Sequence, residues 1–246
     1  MALTAEPADQ ALLLDLQALD TKLQQLGHRI GTLPESAALT ALTAERDALQ
    51  RTVAEQLGEW EDAQAELKRT EADVEVVDAR IARDTERLQG SSSVKDVAAL
   101  EQELAALAKR KSDLEDIELA VMELNDEKER ALNDSRGALA DLDERIAEAT
   151  TARDAALGGI DTERQHAEAN RATLAAKIPA ELLDLYEKQR SRYGVGASLL
   201  QGGVSLAAGV ALNASDMATV RAASAYDVLL CPESNAILVR TGESGL

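Results

Sequence analysis

The sequence predicts a mainly α protein: a long antiparallel coiled-coil hairpin with a kinked N-terminal helix, plus a small β-rich C-terminal module. Three observations carry this reading. Apolar residues recur at alternating three- and four-residue steps through most of the first 177 positions. Aromatic residues make up 2% of the chain and Phe is absent, whereas a compact core of this size uses many large rings. The periodicity breaks sharply at Gly90-Ser-Ser-Ser93, a connection short enough to force the flanking helices antiparallel.

The first helix is expected over residues 5–31. Leu12, Leu16, Leu19, Leu23, Leu26, Ile30 and Leu33 form an unbroken 4-3-4-3 seam, Pro7-Ala-Asp9 supplies a cap, and Gly31 and Pro34 end the run. Leu13, Leu14 and Ile117 fall outside the seams and are available to pair two chains. The second helix is expected over 36–89, with Val53, Trp60, Leu67, Val74, Ile81 and Leu88 seven residues apart and a weaker companion column (Leu49, Gln56, Ala63, Thr70, Val77, Asp84). Trp60 stands in the strong column and reads as a packed core indole.

The third helix is expected over 94–177. Ser93 with Asp96 resembles a capping box, and Leu100, Leu104, Leu107, Leu114, Val121, Leu132, Leu139 and Ile146 follow. With the turn centred near 91–92, residue i of the second helix faces about residue 183 − i of the third. The Gly31–Pro34 break then faces roughly residue 150, close to Gly158-Gly159. Two adjacent glycines weaken a helix by ~2 kcal/mol relative to alanine, so a kinked joint is expected at this level. These helices make up a hairpin domain over 1–178. Pro179 introduces a short linker helix within 179–194, where Tyr186 shares a face with Leu182 and Leu183.

From residue 195 to 246 charge falls and Gly and Ala rise. Val195–Leu200, Ser205–Leu212 and Ala236–Arg240 read as short strands, Asp216–Ala223 as one or two helical turns, and Thr241–Leu246 as a mobile tail. Such a module has almost no core of its own, and modules of this kind usually need a metal or disulfides.

Several stretches resemble a known family, the bacterial proteins with a long coiled-coil hairpin and a C-terminal four-cysteine zinc ribbon, the actinobacterial branch most closely. They are Asp9–Asp20, His28-Arg29, Leu33-Pro34-Glu35, Lys95-Asp96, Leu100-Glu101, Glu103-Leu104, Leu114-Glu115-Asp116, Leu182–Tyr186 and Ile237–Arg240. The family motif is CxxC, a spacer of about twenty residues, and CxxCG, a tetrahedral thiolate site for zinc. Laid onto this chain by its flanks, the four ligand positions are Ser205, Ala208, Cys231 and Ser234, and the Gly after the last ligand is Asn235. Serine is a poor zinc ligand at neutral pH and alanine is none. The resemblance therefore implies a degenerate ribbon, and no structural zinc is expected. Leu206, Val210, Leu229 and Leu230 are expected to compensate by added apolar packing, with Cys231 a small half-buried residue.

Net charge is −19, and residues 1–194 hold −17 of it, with 24 Lys and Arg against 41 Asp and Glu. An acidic rod repels nucleic-acid backbones and anionic membrane faces. The start of the chain lacks a basic, apolar leader, no run of ~18 apolar residues spans a membrane, and one Cys makes no internal disulfide. A cytoplasmic protein is expected. There is no phosphate-binding loop, metal-binding HExxH or nucleophile elbow, so catalysis is not expected.

The first functional expectation is a non-enzymatic adaptor or chaperone-like protein acting by protein–protein contacts, as a monomer or homodimer. Relatives in flagellated and type III secretion-bearing bacteria resemble regulators that bind a sigma factor or secretion components, which implies a protein partner. Candidate contact residues are the apolar Val94 and Val97 at the hairpin tip and Leu199 and Leu200 near the ribbon. The alternative is nucleic-acid binding through the ribbon, with Arg221, Arg240, Lys109, Arg110 and Lys111 as candidates. A second alternative is a purely structural rod.

Overall fold

The structure is a computed structural model and describes residues 3–246. Among the described residues, five helices and four short strands follow in the order α1 (Pro7–Gly31), α2 (Pro34–Gly90), α3 (Val94–Ala175), α4 (Ala180–Tyr193), β1 (Ala197–Gln201), β2 (Val204–Ser205), β3 (Val210–Ala211), α5 (Ala214–Ala222) and β4 (Ile237–Val239). The chain divides into two compact units, residues 37–151 and residues 1–36 with 152–246.

The unit of residues 37–151 is the long helical hairpin. Its seam is narrow: Ala63, Thr70 and Asp84 of α2 and Leu100, Leu114, Leu132 and Leu142 of α3 are buried. Flanking ion pairs fix the antiparallel register: Arg80 with Glu103, Lys111 with Asp78 (2.6 Å), Lys128 with Glu59 (2.8 Å) and Arg46 with Asp143 (2.7 Å). Each pair is largely solvated and adds little stability alone, but together they place residues 60–77 of α2 opposite 112–127 of α3. At the tip the Ser93 carbonyl accepts the first helical bonds of α3, from the amides of Asp96 (3.1 Å) and Val97 (3.0 Å), and this backbone pairing takes the place of the expected capping box. Trp60 is half-buried, and its indole nitrogen is buried without an acceptor.

In the other unit α1 runs antiparallel to the end of α3. Leu26 and Leu33 pack with Ile160, Ala156 and Leu157, and Arg29 stands 3.8 Å from Glu163. The break after Gly31 therefore meets residue 160 rather than residue 150. Helix α3 continues unbroken through Gly158-Gly159, so only the α1–α2 strand of the chain is interrupted at that level.

The remaining elements form a mixed sheet in the order β3-β2-β1-β4. Strand β1 pairs antiparallel with β2 (Leu200 with Ser205) and parallel with β4 (Ala197 with Ile237). The expected strand over Ser205–Leu212 is two two-residue strands, because a turn at 206–209 ends in Gly209 with φ 67°. Alternation along the strands gives the sheet two faces. Ala197, Ile237 and Val239 pack with Leu13 and Leu16 of α1 and with Ile178, Leu182 and Tyr186. The sheet thus rests on a core supplied by α1 and α4. Leu13, expected to lie outside the seam, is fully buried there, whereas the seam residue Ile30 is exposed.

The chain ends are tied into this unit. Ala5 donates its amide to Tyr226 (2.8 Å), Val228 donates to Leu3 (3.0 Å), and the Gln10 side-chain amide donates to Ala5 (2.9 Å) and Ala225 (3.1 Å). The tail is docked rather than loose. Ser244 is buried, its hydroxyl donates to the Leu200 carbonyl (2.7 Å), and Gly202 donates its amide to Glu243 (2.9 Å).

Candidate functional site

Two clusters gather polar side chains from distant parts of the sequence. The first lies on the second face of the sheet and contains the four positions that the family resemblance implies. Ser205 and Cys231 are fully buried, and Ala208 and Ser234 are partly buried. Cys231 and Ala208 pack in one cluster with Leu200, Leu212, Val220 and Leu238.

Two matching turns build this cluster. The amide of Gly209 donates to the Ser205 carbonyl (2.8 Å), and the amide of Asn235 donates to the Cys231 carbonyl (2.9 Å). The residue that closes each turn is left-handed, Gly209 at φ 67° and Asn235 at φ 58°. Glycine takes that conformation freely, and Asn is among the few other residues that adopt it readily.

The Cys231 thiol is held by its neighbours. Burial pushes its pKa up, but hydrogen bonds from the Ser205 and Ser234 hydroxyls and from nearby backbone outweigh burial and leave it below the usual thiol value. Ser198 extends the polar contact, with its Oγ 3.5 Å from that of Ser205 and accepting from the Ala207 amide (2.7 Å). The four positions themselves offer one thiol, two hydroxyls and a methyl. Of the four residues expected to add apolar packing, only Leu229 reaches this core; Leu206, Val210 and Leu230 are exposed, because the turn and edge positions they occupy face outward. Cys231 is fully rather than half buried.

The second cluster was not singled out in the sequence. Asp20 of α1 is buried and accepts from Arg171 at both oxygens (2.6 and 3.1 Å) and from the Tyr186 hydroxyl (2.6 Å), with Arg190 at 3.5 Å. Glu187 receives Arg171 and, through two hydrogen bonds (3.0 and 2.8 Å), Arg190. Burial pushes the Asp20 and Glu187 carboxyls up, but hydrogen bonds from the guanidinium groups, joined at Asp20 by the Tyr186 hydroxyl, hold both below the usual carboxylate range. Burial and Asp20 push the Tyr186 phenol far up, so it stays a donor. Gln17 completes the set by accepting from the Gly196 amide (2.7 Å). The groups face each other and clamp α1, α3, α4 and β1 together. The available signal was Asp20 itself, an acid four residues after buried Leu16 on the inward face of α1.

The other candidates do not converge. Val94 at the tip is 86% exposed, and Val97 is half-buried. Leu200, expected to be exposed, is fully buried in the sheet core because it points to the cysteine face; Leu199 is half-buried and lines a groove with Leu14, Val195 and Leu206. Arg240 is held by the chain itself, its guanidinium donating to the carbonyls of Ala223, Ser224, Ala225 and Asp227 (2.7–3.3 Å). Lys111 is paired with Asp78 and Glu115. Lys109 and Arg110, adjacent in α3, and Arg221 of α5 are exposed. No group of three or more His, Cys, Asp or Glu among the described residues is arranged to hold a metal.

Residues 16–194, most of the chain, match the CT398-like coiled coil hairpin domain. The chain belongs to that family. An uncharacterised protein of Mycobacterium tuberculosis is 35% identical over 234 residues, spanning 95% of this chain and 96% of its own. A solved protein of Mycobacterium smegmatis is 34% identical with a TM-score of 0.86, over 97% of this chain and 100% of that one. CT398 of Chlamydia trachomatis shares the fold at 19% identity, with a TM-score of 0.67 over 95% of this chain and 98% of its own. No helix among the described residues is long and apolar enough to cross a membrane.

Proposed function

We propose that this CT398-like hairpin protein is a non-enzymatic adaptor or chaperone-like molecule of the cytoplasm that works by protein–protein contacts. The observation that carries this reading is Val94, a β-branched apolar side chain 86% exposed at the turn of the long hairpin. An apolar side chain so exposed at a hairpin turn suits contact with another protein. The converging polar groups support the same reading. Asp20, Arg171, Tyr186, Glu187 and Arg190 are satisfied by one another and form a clamp, so these carboxylates are committed to ion pairs rather than free to act as a general base.

The C-terminal module is, in this reading, a zinc-ribbon frame that closes without zinc. The paired turns at 205–209 and 231–235, each closed by a left-handed residue, support this reading, because two such turns suit a pair of metal knuckles. The side chains do not fit the metal: one thiol stands with two hydroxyls and a methyl, short of the donors that tetrahedral zinc takes. Packing around Leu200, Cys231 and Leu238 and docking onto Leu13, Leu16 and Tyr186 replace it. Nucleic-acid binding is not favoured, because Arg240 and Lys111 are already paired and the surroundings are acidic.

A photo-crosslinking amino acid in place of Val94, in the full chain and in its own cell, tests the function. The expected result is a discrete protein adduct that survives nuclease. An adduct that nuclease destroys, or no adduct beyond the chain itself, would refute the proposal in favour of nucleic-acid binding or a structural rod.

A further inference from the structure

One stretch of the hairpin combines two properties that proteins usually keep apart. The register fixed by Glu59 with Lys128 and Asp78 with Lys111 brackets residues 60–77 of α2 and 112–127 of α3. These 34 residues hold thirteen Asp and Glu against two Lys and Arg, a net −11 of the chain's −19. Between Lys111 and Lys128 there is no basic residue at all. The same stretch exposes five large apolar side chains, Val76, Ile117, Leu119, Met122 and Leu124, each 44–66% exposed.

A coiled-coil hairpin needs one apolar seam, and Leu114 and Leu132 are buried in it. Ile117, Ala120 and Leu124 form a second series at 3-4 spacing, displaced to the flank of α3 and left outside the hairpin's own core. Ile117 and Leu124 are seven residues apart, about 10.5 Å along the axis, which matches the repeat of another helix laid alongside. On the opposite flank Leu119 and Met122 repeat the arrangement. Asp113, Asp116 and Glu123 form no ion pair among the described residues, so their charge faces solvent unneutralised.

We infer that this mid-hairpin face is a docking surface for a basic amphipathic helix of another protein, its apolar stripe on Ile117, Leu124 and their neighbours and its Lys and Arg over the surrounding carboxylates. Charge chooses the occupant. A second copy meeting the first at this level would oppose one net −11 surface with another, and a nucleic acid or an anionic lipid face carries the same sign. A partner with an apolar stripe flanked by cations satisfies both properties, as in helix-in-groove recognition. The inference rests on the proposed protein-contact function and names a surface away from the tip.

The test uses the full chain and a labelled 21-residue helical peptide with Leu at 3-4 spacing and Lys on the flanks. A control peptide has the same composition in an order that breaks the spacing. The patterned peptide is expected to bind at least tenfold more tightly than the control, and more weakly as salt rises. Ile117→Gln/Leu124→Gln is expected to lower that affinity at least tenfold with the thermal midpoint unchanged, since both side chains lie outside the core. Equal binding of the two peptides, or affinity indifferent to the double variant, would overturn the inference. So would sedimentation showing that the intact protein is a dimer and the double variant a monomer, because a second copy would then be the occupant. Neither result would bear on a protein adduct at residue 94.

Discussion

Replacing Asp20 by Ala probes the clamp that joins α1 to the C-terminal elements. The carboxylate is buried and receives two hydrogen bonds from Arg171 and one from Tyr186, with Arg190 nearby. Its loss leaves the fully buried Tyr186 phenol with only its longer bond to Gln17 Oε1 (3.3 Å), at the lower end of the about 1–3 kcal/mol that an unpaired buried donor costs. Breaking one side of a buried ion pair costs about 3–5 kcal/mol. Arg171 keeps Glu187 and is 22% exposed, so water and the second carboxylate return part of that. A net loss of about 2–4 kcal/mol follows, or a fall of roughly 6–12 °C in the midpoint of the unit that holds the clamp. Differential scanning calorimetry reads the shift, and a double-mutant cycle with Arg171→Met isolates the coupling. The double variant should lose less than the two single losses combined, by about 1–3 kcal/mol. The pH dependence has a definite sign. Asp20 and Glu187 are held below their ordinary values of 3.8 and 4.5, so the stability they contribute is fully present above those values and disappears as pH falls through the lower folded ones. The acid limb of the stability curve should therefore be shallower in Asp20→Ala. A midpoint shift under about 1 °C, or an additive cycle, would refute the idea that Asp20 anchors α1.

Two backbone positions give sharper local tests. Gly196→Ala places a methyl inside the van der Waals surface of the Tyr186 ring, and overpacking of this kind should cost about 1–3 kcal/mol in urea unfolding, with recovery when Tyr186 is also replaced by Leu. Asn235 closes its turn at φ 58°, so Asn235→Ala should lose about 1 kcal/mol while Asn235→Gly stays close to the parent; equal behaviour of Ala and Gly would show that the left-handed turn is not what the position selects.

The long helices were legible because their chemistry is local and repeats. The Leu100, Leu114 and Leu132 column and the Gly90–Ser93 break need no knowledge of the rest of the chain. The inner face of α1 was only half legible. Leu12-Leu13-Leu14 admits more than one seam, and heptad spacing selects Leu12, whereas α1 also contacts the sheet, which turns Leu13, Leu16 and Asp20 inward. That second neighbour lies about 180 residues further along the chain, beyond the reach of periodicity arguments. The tail was misread for a similar reason. Thr241–Leu246 is polar and terminal, yet Ser244 finds a buried carbonyl on Leu200 that no local pattern announces. In the candidate site, the family resemblance, laid on by its flanking residues, brought Ser205, Ala208, Cys231 and Ser234 together. It did not reveal that Leu200 packs over the thiol, nor that Arg240 is fastened to four carbonyls.

Zinc content tests the proposal that the C-terminal module is a ribbon frame closed by packing rather than by an ion. Purified full-length protein, washed with chelator and read by plasma mass spectrometry, should hold well under about 0.1 zinc per chain and keep its thermal midpoint through the wash. The variant Ser205→Cys/Ala208→Cys/Ser234→Cys, which adds three thiols to Cys231 and so places four in the two turns, should hold about one. One zinc per chain in the unaltered protein, with the midpoint falling as the metal is stripped, would contradict the metal-free ribbon and the packing argument built on Cys231 and its neighbours.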